Sequence, residues 1–257
     1  MGSLLIRRDA QYWGITLEDL ARKSLNGTRF LGLMQEVIGP FRTKTWNMVD
    51  DWARRISWTD KKAFKTVLQF GAFEMHGARL YNEWYKGTLP YVDYTSGAYE
   101  DCLNMIARKA YDEQKHGRIY WDAVLERGWA ANRRELFGHQ YGQTLFGIKM
   151  FLAWLAYVGS SHPAVQHAGD SVASEFQSAR SIHALGESLA GYDPIIAKAF
   201  LAQEYEEMTH VKMGEYIIGR YATTPEIQFQ CLWASHHNLR ALDLGLRDFI
   251  DFVEADD

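Results

Sequence analysis

The sequence predicts an all-α protein, and three observations carry that expectation. Only five prolines occur in 257 residues, and alternating runs of Val, Ile and Thr are absent. Over long stretches apolar residues instead recur every three to four positions, the spacing of an amphipathic helix.

Taken in order, the periodicity places helices at about 16–37, 42–56, 60–86, 95–127, 139–159, 164–189, 193–221 and 224–253. The first two are separated by "IGPF" (38–41), where Gly and Pro interrupt the pattern. "KGTLPYVDYTSG" (86–97) separates the third from the fourth. Pro163, Pro194 and Pro225 each stand near an expected helix start, where a missing N–H costs little. In "AGYDP" (190–194), Gly191 is placed as a C-cap and Asp193 as an N-cap. Several of these helices approach 25 to 30 residues, well beyond the usual mean of about 11–12. Long helices without an internal linker or repeat suggest one large bundle, a single domain over 1–257.

Composition narrows the function classes. The chain is 47% hydrophobic and 23% charged, ordinary for a globular protein, and its 9 Trp, 14 Tyr and 13 Phe promise a bulky interior. A net charge of -4 without a basic stripe argues against nucleic-acid binding. Cys102 and Cys231 sit far apart in helical patterns and read as buried thiols rather than disulfide or zinc ligands. The start, "MGSLLIRRDAQYW", lacks the apolar core of a signal peptide, and Ile6 spoils a myristoylation match. "LFGIKMFLAWLAYVG" (145–159) is too short to span a bilayer and carries Lys149. A cytoplasmic protein with no membrane partner is expected.

The chemistry-bearing motifs come as a pair. "YDEQKHGRIYW" (111–121) holds Glu113 and His116, and "AQEYEEMTHVKMGEY" (202–216) holds Glu207 and His210. Residues three apart share a helix face, so two such helices can aim two carboxylates and two imidazoles at one point. Hard oxygen ligands with imidazole suit iron or manganese.

A dinuclear carboxylate site needs two further glutamates, one from each of two other helices. Helix depth selects them. In the antiparallel pair 60–86 and 95–127, Glu74 lies near the depth of Glu113, whereas Glu83 lies too close to the loop and shares its face with Arg79 and Lys86. In the other pair, Glu175 lies 15 residues before Ala190 and Glu207 lies 13 after Pro194. Glu74 and Glu175 both stand on stripes of small or apolar residues, where a carboxylate is costly to bury unless something neutralises it. Asp112 and Glu206 each precede a motif glutamate and are placed to brace His210 and His116 from outside. Glu204 is placed as a further ligand, an outer acid or a solvated residue.

In the order Glu74, Glu113-x-x-His116, Glu175, Glu207-x-x-His210, these residues resemble the ferritin-like di-iron carboxylate superfamily. The similarity is greatest to its oxygen-activating branch: bacterial multicomponent monooxygenase hydroxylases, acyl-carrier desaturases and the ribonucleotide reductase small subunit. The likeness covers about residues 60–215, the expected metal-binding bundle. It implies a ferritin-like four-helix bundle with additional flanking helices and a non-haem di-iron oxidoreductase. Such an enzyme would activate O2 to oxidise a small organic substrate.

The resemblance also implies two Fe ions, with Mn as a possible substitute. His116 and His210 would bind one each, Glu113 and Glu207 would bridge and act catalytically, and Glu74 and Glu175 would be terminal. Tyr120, one turn after His116, stands where a radical tyrosine stands in the reductase subunit, although a core tyrosine fits as well. External electrons would come from a reductase or ferredoxin, and a homodimer is compatible. Alternatives within the same reading are a ferroxidase, a manganese-catalase-like protection protein or a structural subunit of an oxygenase complex. Ala179 stands where the monooxygenases carry Thr, and Gln203 where related arylamine N-oxygenases carry His. Gly77, Ala110, Gly117, Ala179 and Gly214, each a turn from a ligand, would leave room beside the metals.

Overall fold

A computed structural model describes residues 10–136, 138 and 145–255. The N-terminal stretch 1–9 and the expected helical residues 139–144 lie outside the described residues. The described residues are overwhelmingly helical, as the periodicity predicts. A minimal hairpin opens them: β1 (Gln11–Tyr12) pairs antiparallel with β2 (Ile15–Thr16). Its turn places Trp13 and Gly14 at positive φ, 57° and 76°, as a two-residue hairpin of matching twist requires. The Trp13 indole donates to Ser235 Oγ at 3.1 Å and fixes the hairpin to the last helix. Strands of two residues are too short to show alternation, so the sequence gives no sign of them.

The helices begin where side chains can cap them. Thr16 and Asp19 form a reciprocal capping box at α1 (Leu17–Lys23). Asn26 caps α2 (Gly27–Arg55), and Thr59 caps α3 (Asp60–Thr88). Then come α4 (Glu100–Glu126), α5 (Phe146–Val158) and α6 (Pro163–Gly169). A π turn (Ser171–Glu175) leads into α7 (Phe176–Ala190). Asp193 caps α8 (Pro194–Leu201), which precedes α9 (Glu204–Tyr221), and Thr224 caps α10 (Pro225–Glu254).

Several boundaries differ from expectation: the expected helix 16–37 is divided at 24–26 between α1 and α2, and the expected 95–127 begins only at Glu100. "IGPF" is no break, because α2 runs through Pro40. Pro40 is exposed, so the carbonyl deprived of its partner can face solvent. Phe30, Met34, Ile38, Thr45, Val49 and Trp52 continue one buried stripe across it. The expected helix 164–189 is interrupted by the π turn, and 193–221 by a turn at Ala202 and Gln203. Both interruptions lie beside expected ligands.

The apolar interior forms separate clusters, and the candidate ligands stand on the seams between them. Along α3, Glu74 lies between Val67 and Leu68 of one cluster and Tyr81 and Trp84 of another. Along α4, Glu113 lies between Ile106 and Tyr120 of the same two clusters. A third cluster, around Val172 and Ile217, adjoins Glu175 and Glu207 from the opposite side.

Candidate metal centre

Each carboxylate and imidazole of the two motifs arrives on a buried helix face. α4 buries Ile106, Lys109, Glu113, His116, Tyr120 and Val124, a three-to-four stripe continuous with its apolar packing face. α9 buries Glu207, His210, Val211 and Gly214. Against these, α3 brings Glu74 and the end of the π turn brings Glu175.

Side-chain donors from these residues fall into two groups, each within 4.8 Å: Glu74, Glu113, His116 and Glu207, then Glu113, Glu175, Glu207 and His210. Glu113 and Glu207 belong to both. His116 Nδ1 lies 3.1 Å from Glu207 Oε1, 3.6 Å from Glu113 Oε2 and 3.8 Å from Glu74 Oε2. His210 Nδ1 lies 2.9 Å from Glu175 Oε2 and 3.5 Å from Glu113 Oε1. All six residues are buried.

The far ring nitrogens face outward to carboxylates. His116 Nε2 is 2.8 Å from Glu206 Oε2, and His210 Nε2 is 3.3 Å from Asp112 Oδ2. An N–H there donates to the carboxylate, so the neutral ring presents Nδ1 as its lone-pair nitrogen to the cluster, whereas the cationic ring carries a second N–H on Nδ1 that faces the inner carboxylates. Lys115 pairs with Glu206, and Arg108 Nε donates to Asp112 Oδ2 at 2.7 Å, so each brace is itself anchored from the surface.

Crowding so many carboxylates has electrostatic consequences. Burial, reinforced by the charge of Glu113, holds the Glu74 carboxyl well above its ordinary range. Burial likewise pushes Glu207 up to about 8, helped by the charges of Glu113 and Glu175. At Glu175 burial pushes up too, but the cationic Lys109 and His210 outweigh it and hold the carboxyl well below the usual range.

Lys109 and Asp170 are the residues that sequence reasoning missed. The fully buried Lys109 ammonium pairs with Asp170 and Glu175 and lies 3.2 Å from Ser171 Oγ. The Tyr81 hydroxyl lies 3.3 Å from Asp170, 3.4 Å from Glu175 and 3.5 Å from Glu113. Lys109 could have been found, since it lies four residues before Glu113 on the buried face of α4. Asp170 could not: five residues before Glu175, it would lie off that face on a regular α-helix.

Other expected residues fall elsewhere. Glu204 is half-exposed and pairs with His183 at 2.9 Å, so neither joins the cluster. Tyr120 is fully buried, its ring packing on Phe70 and Phe200, and its hydroxyl has no hydrogen-bond partner among the described residues. Glu83 pairs with Lys86 at the surface. The positions of Gly117 and Gly214 offer no room beside the centre. A Cβ on Gly117 would meet the Met75 side chain at 2.6 Å, and one on Gly214 would meet Ser171 Cβ at 2.4 Å. Gly77 faces open space.

A cavity of about 20 Å³ lies at the cluster, lined by Glu74, Glu113, Glu175, Glu207, Asp170 and Tyr81. Beside it, an apolar cavity of about 60 Å³ lies between α3, α5, α7 and α10. Phe73, Glu74 and Ser178 line both.

No protein-family model matches the chain, and no curated protein matches it. Solved structures do. One is a TenA homolog from Pseudomonas syringae pv. tomato str. DC3000, at 13% identity, with 86% of this chain and 92% of that one covered and a TM-score of 0.64. Another is a domain of unknown function with a heme oxygenase-like fold from Shewanella denitrificans OS217. It is 15% identical, with 91% and 92% of the two chains covered and a TM-score of 0.58. At such identities the likeness shows the fold alone.

That likeness corrects the ferritin-like assignment: the arrangement of helices is the one shared with these two structures. The physical reason is that Glu-x-x-His fixes two side chains on one helix face, whereas connectivity and packing angles fix the bundle. Helices carrying the same motif can converge within different bundles. The di-iron oxygenase or oxidase activity drew on the ferritin-like family and is withdrawn with it. The same holds for the monooxygenase designation and for the ferroxidase, manganese-catalase-like and structural-subunit alternatives. Among the described residues, no helix is long and apolar enough to cross a membrane.

Proposed function

We propose that this chain is a metalloprotein whose work is done by two divalent ions, iron or manganese, held between α3, α4, the π turn and α9. One observation supports the reading above the others. Glu74 Oε2, His116 Nδ1 and Glu207 Oε1 are buried and converge, His116 Nδ1 lying 3.1 Å from Glu207 Oε1 and 3.8 Å from Glu74 Oε2, and none closes a well-aligned hydrogen bond among the described residues. Buried polar atoms are ordinarily satisfied, and a cation among the three would satisfy them together. The donor set, carboxylate oxygen with imidazole nitrogen, suits the proposed ions.

Glu74 and His116 would hold one ion and Glu175 and His210 the other, with Glu113 and Glu207 shared. Such a pair supplies Lewis acidity and an activated bound water. The remaining roles belong to the chain. Asp112 and Glu206 orient the imidazoles, the surrounding apolar clusters exclude bulk water, and the cavity beside Glu74 admits a small apolar group.

Metal analysis of the purified protein tests this reading. About two ions per chain are expected, falling to near zero in Glu113→Ala because that carboxylate serves both positions. A wild-type protein that retains no ion after metal loading, or a variant that keeps its full complement, would sink the proposal.

A further inference from the structure

Resting on that two-metal reading, we infer that the two positions are unequal and fill in order, because Lys109 is a built-in cation at one of them. At the Glu74–His116 position, three donor atoms close no well-aligned hydrogen bond among the described residues. At the Glu175–His210 position the donors are already engaged. Glu175 Oε1 takes the Lys109 ammonium, and Glu175 Oε2 faces His210 Nδ1 at 2.9 Å.

Lys109 cannot retire to solvent. It is completely buried, its ammonium lies 5.0 Å from the ring of Tyr81 and 5.7 Å from that of Trp84, and its other carboxylate partner is the buried Asp170. An ion arriving at Glu175 must therefore displace one positive charge and remain close to it. An ion arriving at Glu74 meets carboxylates and one imidazole, as does an ion at Glu175, but it meets no ammonium in addition. Like charges at such separations repel strongly away from water. The first ion thus enters beside His116, and the second enters beside His210 only as Lys109 gives up Glu175 and keeps Asp170.

Stepwise Mn2+ titration of the metal-free protein, with unbound ion counted by its paramagnetic resonance signal, tests the order. The wild type is expected to bind a second ion about tenfold or more weaker than the first. Lys109→Met, similar in length and uncharged, is expected to strengthen the second step by about tenfold and leave the first within about threefold. Should Lys109→Met fold poorly, Lys109→Met/Asp170→Asn removes both members of the pair and is read in its place. Equal steps in the wild type, or a second step no stronger in the variant that folds, overturn the ordering and leave the two-metal reading intact. Failure of every protein to bind Mn2+ or Fe2+ overturns the metal reading beneath it.

Discussion

The two halves of the centre are built differently. Glu74, Glu113 and His116 stand on α3 and α4, which run unbroken for 29 and 27 residues. Glu175 closes a π turn, and Glu207 follows a helix break at Ala202–Gln203. The regular half leaves Glu74 Oε2 and His116 Nδ1 without a closed hydrogen bond, and the interrupted half engages Glu175 with Lys109 and His210 while Glu207 Oε1 faces the regular half. The regular α4 carries the cation Lys109 besides its candidate ligands, and the interruption at the π turn supplies the counter-charge Asp170.

Removing one carboxylate from each half should break the comparison most visibly. In chelator-treated protein, Glu175→Gln takes a partner from two buried cations, and breaking such a pair costs about 3–5 kcal/mol. A fall of about 10 °C in Tm follows for a chain of this size. Glu74→Gln removes a charge that burial disfavours, so its Tm should hold or rise by a few degrees. Calorimetry on both variants decides, and a matching loss in each would erase the asymmetry.

The braces come next. Asp112→Asn and Glu206→Gln should each weaken one position by about 10–100-fold, the former beside His210 and the latter beside His116. Stepwise binding curves separate the two effects, and a change in the wrong step would contradict the pairing.

Acidity sharpens the contrast further. Burial lowers the His210 pKa, but Glu175 and Asp112 outweigh it and push the value up to about 10 in the metal-free chain. A folded-state pKa raised above the ordinary value of about 6.5 contributes stability that is complete below that value and is lost as pH rises toward about 10. The metal-free Tm should therefore fall across that window while ion uptake beside His210 strengthens, since an arriving ion must displace the proton. A Tm flat from pH 6.5 to 10 would remove this pairing from the account.

Tyr120→Phe is the smallest change. Deleting a buried hydroxyl without a partner should leave stability unchanged or raise it by about 1 kcal/mol, read as a Tm shift of about 2–4 °C. A clear loss of Tm would mean that the hydroxyl is engaged after all.

How much of this was legible before any coordinates depended on regularity. Faces set by three-to-four spacing were readable, which is why Glu74, Glu113, His116, Glu175, Glu207 and His210 could be named together. Caps were readable for the same local reason, as at Asp193. Pro40 misled because a proline on an exposed helix face costs less than one inside a core. The helix arrangement was not legible, since motif spacing constrains faces and says little about how helices connect. Lys109 went unread because a lysine on a buried stripe looks like an error until Asp170 is seen opposite it.

The π turn at Ser171–Glu175 gives chain length a chemical meaning. Glu175 N–H bonds to Asp170 O five residues back, at 3.2 Å. Residues five apart on an α-helix point about 140° away from each other, and the wider turn brings their side chains toward a common partner. Deleting a single residue such as Ala173 would restore ordinary winding with Asp170 four residues before Glu175, about 40° away and still on the same face. The turn thus absorbs one extra residue while keeping Asp170 and Glu175 on one side of the helix, and the altered spacing hides from the sequence that both meet Lys109.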